Sequence, residues 1–265
     1  MTIKCRICDN SASEFSSAFI LGKYQIKYYL CSTCGFIQTE EPYWLDEAYA
    51  VPINTSDTGI MIRNLANVRL ASAVLQLCFN TDGQYADYGG GHGIFVRMMR
   101  DRGFDFYRDD KYCANLFAHG FDTADSGVDR YCLITAFELF EHFLSPCDEL
   151  QNLLNKSDNI LFTTEILPHP PPQLNDWWYF CLDHGQHISF FSHRSLQHLA
   201  DRFALHYYNF GNRHLFTRNK TSCMAWRFKL ATHPRVSRLL ETFSRKKSLT
   251  SSDYKKITGV DIVNL

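Results

Sequence analysis

The chain has 265 residues, 45% hydrophobic and 15% aromatic, enough for one large domain with a small appendage and a sizeable core. Its formal net charge of -1 supplies no general pull towards nucleic acid or an anionic membrane, so any such contact would be local. No apolar run reaches the roughly eighteen residues that a membrane helix needs, and Met1-Thr2-Ile3-Lys4-Cys5 lacks the apolar centre of a signal peptide, so a cytoplasmic protein is expected.

Ten cysteines in such a chain predict thiols and metal ligands rather than disulfides. Cys78, Cys113, Cys132, Cys147, Cys181 and Cys223 are scattered and read as inert. Cys5-Arg6-Ile7-Cys8 and Cys31-Ser32-Thr33-Cys34-Gly35 are two matched Cys-x-x-Cys pairs, the spacing of a four-thiolate zinc site. A redox dithiol is the competing reading, although such motifs rarely come as two pairs. Between the pairs, Ala18–Leu21 and Tyr24–Tyr29 flank Gly22 and predict strands of a small ribbon over residues 1–50. So short a unit buries little core by itself, so the zinc is expected to supply its folding energy.

Pro42-Tyr43-Trp44-Leu45-Asp46-Glu47-Ala48-Tyr49 leads into a linker, and residues 51–82 are taken as linker plus one helix. The helix pattern is Ile60, Ile62, Leu65, Val68, Leu70, Val74 and Leu75, ending near Asn80. Tyr85-Ala86-Asp87-Tyr88-Gly89-Gly90-Gly91-His92-Gly93, followed by Ile94 to Met99, then reads as strand, tight turn and helix start. Glycines at 89, 91 and 93 let the backbone approach a ligand closely. The dinucleotide fingerprint would need its third glycine at 94, which is Ile, and Asp87 before the turn suits a cationic amine better than a pyrophosphate.

With its Asp-x-Gly-x-Gly-x-Gly form, this stretch resembles the first motif of the class I S-adenosylmethionine-dependent methyltransferases, a resemblance running from about Tyr85 to Arg218. It implies an α/β, Rossmann-like, seven-stranded sheet with helices on both faces, over residues 83–230, beside the small zinc ribbon. It also implies that Asp87, Gly89, Gly91 and Gly93 hold the methionine end of the cofactor, and that an acid closing the second strand binds the ribose. Phe104 to Asp110 supplies that strand, and the acid is Asp110 or Asp109. Tyr112–Ala118 reads as a helix, and Asp125 is a candidate for the adenine amino group.

Tyr131–Ala136 is a continuous apolar strand, followed by Glu138-Leu139-Phe140-Glu141-His142 at its carboxyl end, where open α/β sheets bind ligands. The family resemblance puts the backbone of Ala136 and Phe137 against the cofactor. Asp148–Leu154 predicts a helix and Ile160–Thr164 a strand; Phe203–Phe210 and Met224–Phe228 read as closing antiparallel strands. Past Pro234, Val236, Leu239, Leu240 and Phe243 mark an amphipathic helix in a C-terminal unit, 231–265, whose tail from Ser248 carries little signal.

Aromatic residues in Asp176-Trp177-Trp178-Tyr179-Phe180 beside His184-Gly185-Gln186-His187-Ile188-Ser189-Phe190-Phe191-Ser192 suggest a lid over a polar substrate. A zinc ribbon before such a domain, with this lid, resembles methyltransferases acting on sugars, including nucleotide-linked deoxysugars, and implies a carbohydrate substrate methylated on carbon or oxygen. His187 is then the base that takes the acceptor's proton, with His184 its competitor. The alternative is that Glu138, Glu141, His142 and a lid histidine resemble the divalent-metal set of ubiquinone-type and small-RNA-type O-methyltransferases, with Mg2+ activating a phenolic or other hydroxyl. The neutral charge argues against RNA, and the intact turn and lid histidines argue against an inert cofactor-binding scaffold.

Overall fold

A computed structural model describes residues 2–50, 57–79, 82–221, 223–242 and 246–262. The linker residues 51–56, the predicted helix end at Asn80, Phe243 of the C-terminal apolar pattern and the last three residues of the tail lie outside the described residues. In chain order the elements are β1 (Thr2–Lys4), β2 (Ser11–Ile20), β3 (Tyr24–Cys31), β4 (Ile37–Thr39), α1 (Leu45–Ala48), α2 (Ile60–Cys78), β5 (Gln84–Tyr88), α3 (Ile94–Asp101) and β6 (Asp105–Asp109). They continue as β7 (Leu133–Phe137), α4 (Pro146–Lys156), β8 (Asn159–Thr163), β9 (Ser189–Phe190), α5 (His193–Arg202), β10 (His206–Phe210), β11 (Arg213–Thr217), α6 (Met224–Ala231), α7 (Pro234–Thr242) and α8 (Thr250–Thr258).

The larger sheet has the order β10-β11-β8-β7-β5-β6, with β8, β7, β5 and β6 parallel and the β11–β10 hairpin antiparallel beside β8. Among the described residues it has six strands rather than the seven expected. Met224–Phe228, expected as a closing strand, is helical, and the place beside β8 is taken instead by β11, a strand not expected from the sequence. Met224 and Phe228, four residues apart, are buried while Trp226 between them is 64% exposed. That spacing fits one face of a helix and not the alternation of a strand. The predicted strand from Phe203 is also shorter, since α5 runs to Arg202 and the strand opens only at His206. Strands β7 and β8 sit mid-sheet and bury nearly every residue, which explains their unbroken apolar runs.

The predicted helix over Tyr112–Ala118 is absent, because its amide donors are spent elsewhere. Tyr112 and Cys113 donate to the Asp110 carboxylate, and Leu116 and Phe117 both donate to the carbonyl of His92. Helix α2 buries Val68, Leu70, Val74 and Leu75 against α3, α6 and α7, whereas Ile62 in its first turns is 74% exposed.

The N-terminal sheet, β1-β2-β3-β4-β9, borrows its last strand from the lid: Ser189 and Phe190 pair with Gln38 and Ile37. Its core is borrowed too. Ile20, Ile26, Tyr28, Ile37 and Trp44 pack in one cluster with Leu167, Leu174, Tyr179, Phe180, Ile188 and Phe190, while Cys5, Ile7, Tyr29 and Phe36 join the cluster of the larger sheet. The ribbon therefore has more than a metal to fold around, contrary to the expectation from its length.

Candidate active site

Between β5 and α3 the chain turns through Gly89, Gly91 and Gly93, with φ of +74, +53 and +88 degrees, a region that disfavours residues with a Cβ. The amide of Gly89 donates to the carbonyl of Asp109 at 2.8 Å, and Arg108, buried beneath, donates to the carbonyls of Gly91 at 2.7 Å and Cys113 at 2.9 Å. Arg108 is held in turn by Asp122 at 2.7 Å.

The candidate cofactor acids are all engaged. Asp110 accepts from the Gly91 amide at 2.9 Å through Oδ2 and from Tyr112 and Cys113 at 2.8 and 2.7 Å through Oδ1. Asp109 pairs with Lys156 at 2.6 Å. Asp87 is buried under the turn, where Thr135 donates to it at 2.6 Å; burial nonetheless pushes its pKa up to about 7. Asp125 caps its own single turn by accepting the Asp122 amide at 3.0 Å. Ala136 is fully buried and Phe137 packs edge-on against Phe95 at the carboxyl end of β7.

Phe140–His142 form a single tight turn beyond β7, and the carbonyl of Glu141 accepts the amide of Ile188 at 2.9 Å, hanging the lid on this turn. Glu141, His142 and His187 thereby gather, with a ligand atom of each within 4.8 Å of the others. The His142 and His187 rings lie 4.9 Å apart, edge to face. Nδ1 of His187 is 2.7 Å from the carbonyl of Tyr179, which can only accept, so Nδ1 carries the proton and Nε2 keeps its lone pair. Both carboxylate oxygens of Glu141 are buried without a hydrogen-bond partner, and burial raises its pKa to about 8. Desolvation lowers His187 to about 4 and His142 to about 3, so both imidazoles are neutral.

Two sequence candidates stand outside this group. Glu138, at φ +50 degrees, accepts a hydrogen bond on its carboxylate from the Thr163 hydroxyl at 2.6 Å. His184 is not among the three residues that gather, and its electrostatic influence lowers the pKa of His187. Three residues went unread in the sequence, where 42–49 resembled a lead-in to a linker. Trp44 Nε1 donates to the carbonyl of Gly185 at 2.7 Å, the carbonyl of Ala48 accepts from Gln186 at 2.7 Å, and the Tyr49 hydroxyl lies 2.8 Å from Nδ1 of His142.

The four cysteines of the N-terminal sheet also converge: all Sγ atoms lie within 4.8 Å of one another, with Cys5–Cys34 at 3.6 Å and Cys8–Cys31 at 3.4 Å. The Cys34 thiol pulls Cys5 down to about 5. This donor set suits a soft or borderline cation such as zinc.

Residues 61–208, more than half the chain, match the family model described as a methyltransferase domain. The chain belongs to this family. It carries a methyltransferase domain. No curated protein matches it. Among solved structures it is similar to CalO1, a methyltransferase of calicheamicin biosynthesis, at 14% identity and TM-score 0.42, covering 60% of this chain and 55% of that one. The plantazolicin methyltransferase BpumL is similar at 11% identity and TM-score 0.48, covering 74% and 86%. A possible histamine N-methyltransferase from Thermotoga maritima follows at 10% identity and TM-score 0.38, covering 61% and 92%. The chain thus spans 55% of the length of CalO1, and similarity at these levels assigns it no substrate. No helix among its described residues is long and apolar enough to cross a membrane.

Proposed function

We propose that this methyltransferase moves a methyl group from S-adenosylmethionine to a sugar or nucleotide-sugar, with His187 as the base. The observation that carries the reading is the hydrogen bond from His187 Nδ1 to the Tyr179 carbonyl, 2.7 Å long, which fixes the tautomer and leaves Nε2 able to accept a proton. The cofactor, when bound, supplies a methyl on a sulfonium, which the acceptor displaces in line, so the protein's work is alignment and proton removal. The three left-handed glycines support a cradle for its methionine end, beside Asp87, and the position of Asp110 at the same turn supports it as the ribose acid, although its carboxylate also accepts the Gly91, Tyr112 and Cys113 amides. The pairing of β9 with β4 supports the ribbon as a cover for the substrate. Zinc on Cys5, Cys8, Cys31 and Cys34 would hold that cover. Mass spectrometry of nucleotide sugars incubated with isotopically labelled cofactor tests the reading: label in a sugar product supports it, and label accepted only by phenols contradicts it.

The unpartnered carboxylate of Glu141 favours a second reading. Two neutral imidazoles and one carboxylate fit a divalent transition-metal cation, Mn2+ among them, better than the oxygen-preferring Mg2+. Glu141, His142 and His187 would hold it, and bound there it would lower the pKa of an acceptor hydroxyl.

A further inference from the structure

Tyr49 follows α1 and joins three parts of the site that lie far apart in sequence. Its ring stacks on Tyr112 with centroids 5.0 Å apart and planes 13 degrees from parallel. The amide of Tyr112 is tied to Asp110, and Asp110 to the amide of Gly91 in the glycine turn. On its other side the Tyr49 hydroxyl meets Nδ1 of His142 at 2.8 Å, which leaves His142 only Nε2 for any other partner. One residue earlier, the carbonyl of Ala48 holds Gln186, the neighbour of His187. A hydrogen bond to one ring nitrogen sets the orientation and tautomer of an imidazole, and whatever sets that bond also sets what the other nitrogen can do.

We propose that Tyr49 is a positioning residue that couples the glycine turn to the histidine pair: binding at the turn is passed through Asp110, Tyr112 and the stacked Tyr49 to the imidazole of His142. The inference rests on the turn being the cofactor cradle. Neither Tyr49 nor Tyr112 touches the reacting atoms in this scheme; each acts through a neighbour.

The test uses the full-length protein with nitrogen-labelled histidine at one fixed pH, and S-adenosylhomocysteine as the probe. Calorimetry confirms saturation, and His142→Gln assigns the signal. In the wild type the probe is expected to shift the His142 Nδ1 resonance. Tyr49→Phe, which keeps the stack, should displace that resonance before any probe is added while leaving affinity for the probe unchanged. Tyr112→Leu, which removes the stack but keeps bulk, should leave the unliganded resonance in place and abolish its response at saturation. An unmoved resonance in Tyr49→Phe, or a wild-type response in Tyr112→Leu, overturns the proposal. If the probe binds the wild type and His142 does not respond, the coupling alone fails. If the probe does not bind at all, the cofactor reading fails and takes the coupling with it.

Discussion

The hydroxyl of Ser192 donates to the carbonyl of Cys34 at 2.8 Å while accepting the amide of Ser195 at 3.1 Å, so the residue that caps α5 also fastens the second cysteine knuckle to the lid. Gly35 follows at φ +71 degrees, and a Cβ there would come 2.9 Å from the same Ser192 oxygen. The knuckle, the lid strand and the helix after it are therefore one mechanical unit.

From this unit comes the first prediction. Protein purified without chelator should carry one zinc per chain on Cys5, Cys8, Cys31 and Cys34, measurable by elemental analysis. Cys34→Ser should release it and loosen both knuckle and lid, read as faster hydrogen exchange over residues 188–192 as well as over 31–37. Loosening confined to the knuckle would contradict the shared sheet.

Asp110→Ala should weaken S-adenosylmethionine binding about tenfold or more, because a hydrogen bond to a charged group is worth about 1.5–3 kcal/mol. Part of the loss would come from the turn itself, since Gly91, Tyr112 and Cys113 all lose their acceptor. Asp109→Ala removes only the pairing with Lys156 and should weaken binding less. Equal affinities for both variants and the wild type, by calorimetry, would refute the assignment of the turn.

The tail on which the sequence is nearly silent contains α8, whose Asp253 is buried and bridges Arg97 and Arg100 at 2.8 and 2.7 Å. Arg100 is 4% exposed and also pairs with Asp105. Removing one partner of a buried pair typically costs about 3–5 kcal/mol. Asp253→Ala should fall near the lower end, because Asp105 remains, and the denaturant midpoint would show it. An unchanged midpoint would mean that α8 adds nothing to the stability of the domain.

Much of this was legible from the sequence because it is local. The glycine turn and the runs of β7 and β8 announce themselves by composition. The errors have local causes as well: Met224 to Phe228 is apolar enough to pass for a strand until Trp226 is seen to face solvent. Tyr112 to Ala118 has helical composition, but Asp110 and the His92 carbonyl take its amides. What no local pattern reveals is distance in the chain closed by the fold. Tyr49, His142 and His187 come from three segments, and no spacing rule joins them.

The burial of His187 has a measurable sign. Its pKa falls to about 4 from the ordinary 6.5, so folding favours the neutral ring. Its contribution to stability is complete above about pH 6.5 and is lost as pH falls through the window towards 4. Nuclear magnetic resonance of its imidazole should show no imidazolium between pH 8 and about 5.5 in the folded protein. Titration near 6.5 would mean that the ring is wetter than the structure has it.

The base and the cation lead to opposite results in one experiment. If His187 takes the proton unaided, His187→Ala should lower turnover by about 10²–10⁴-fold with cofactor affinity unchanged. A chelator weak enough to spare four thiolates should then leave the wild type active. If a cation sits on Glu141, His142 and His187, that chelator should abolish activity and Mg2+ or Mn2+ should restore it. Glu141→Gln separates the two further: it keeps the shape of the side chain but can never ionise, so it should be mild for a histidine base, beside which burial already favours the neutral carboxyl, and severe for a bound cation, which needs the carboxylate. The tautomer fixed by Tyr179 favours the base, and the unpartnered carboxylate favours the cation. Activity that vanishes with the weak chelator, returns with Mn2+ or Mg2+ and is lost in Glu141→Gln would overturn the base in favour of the cation.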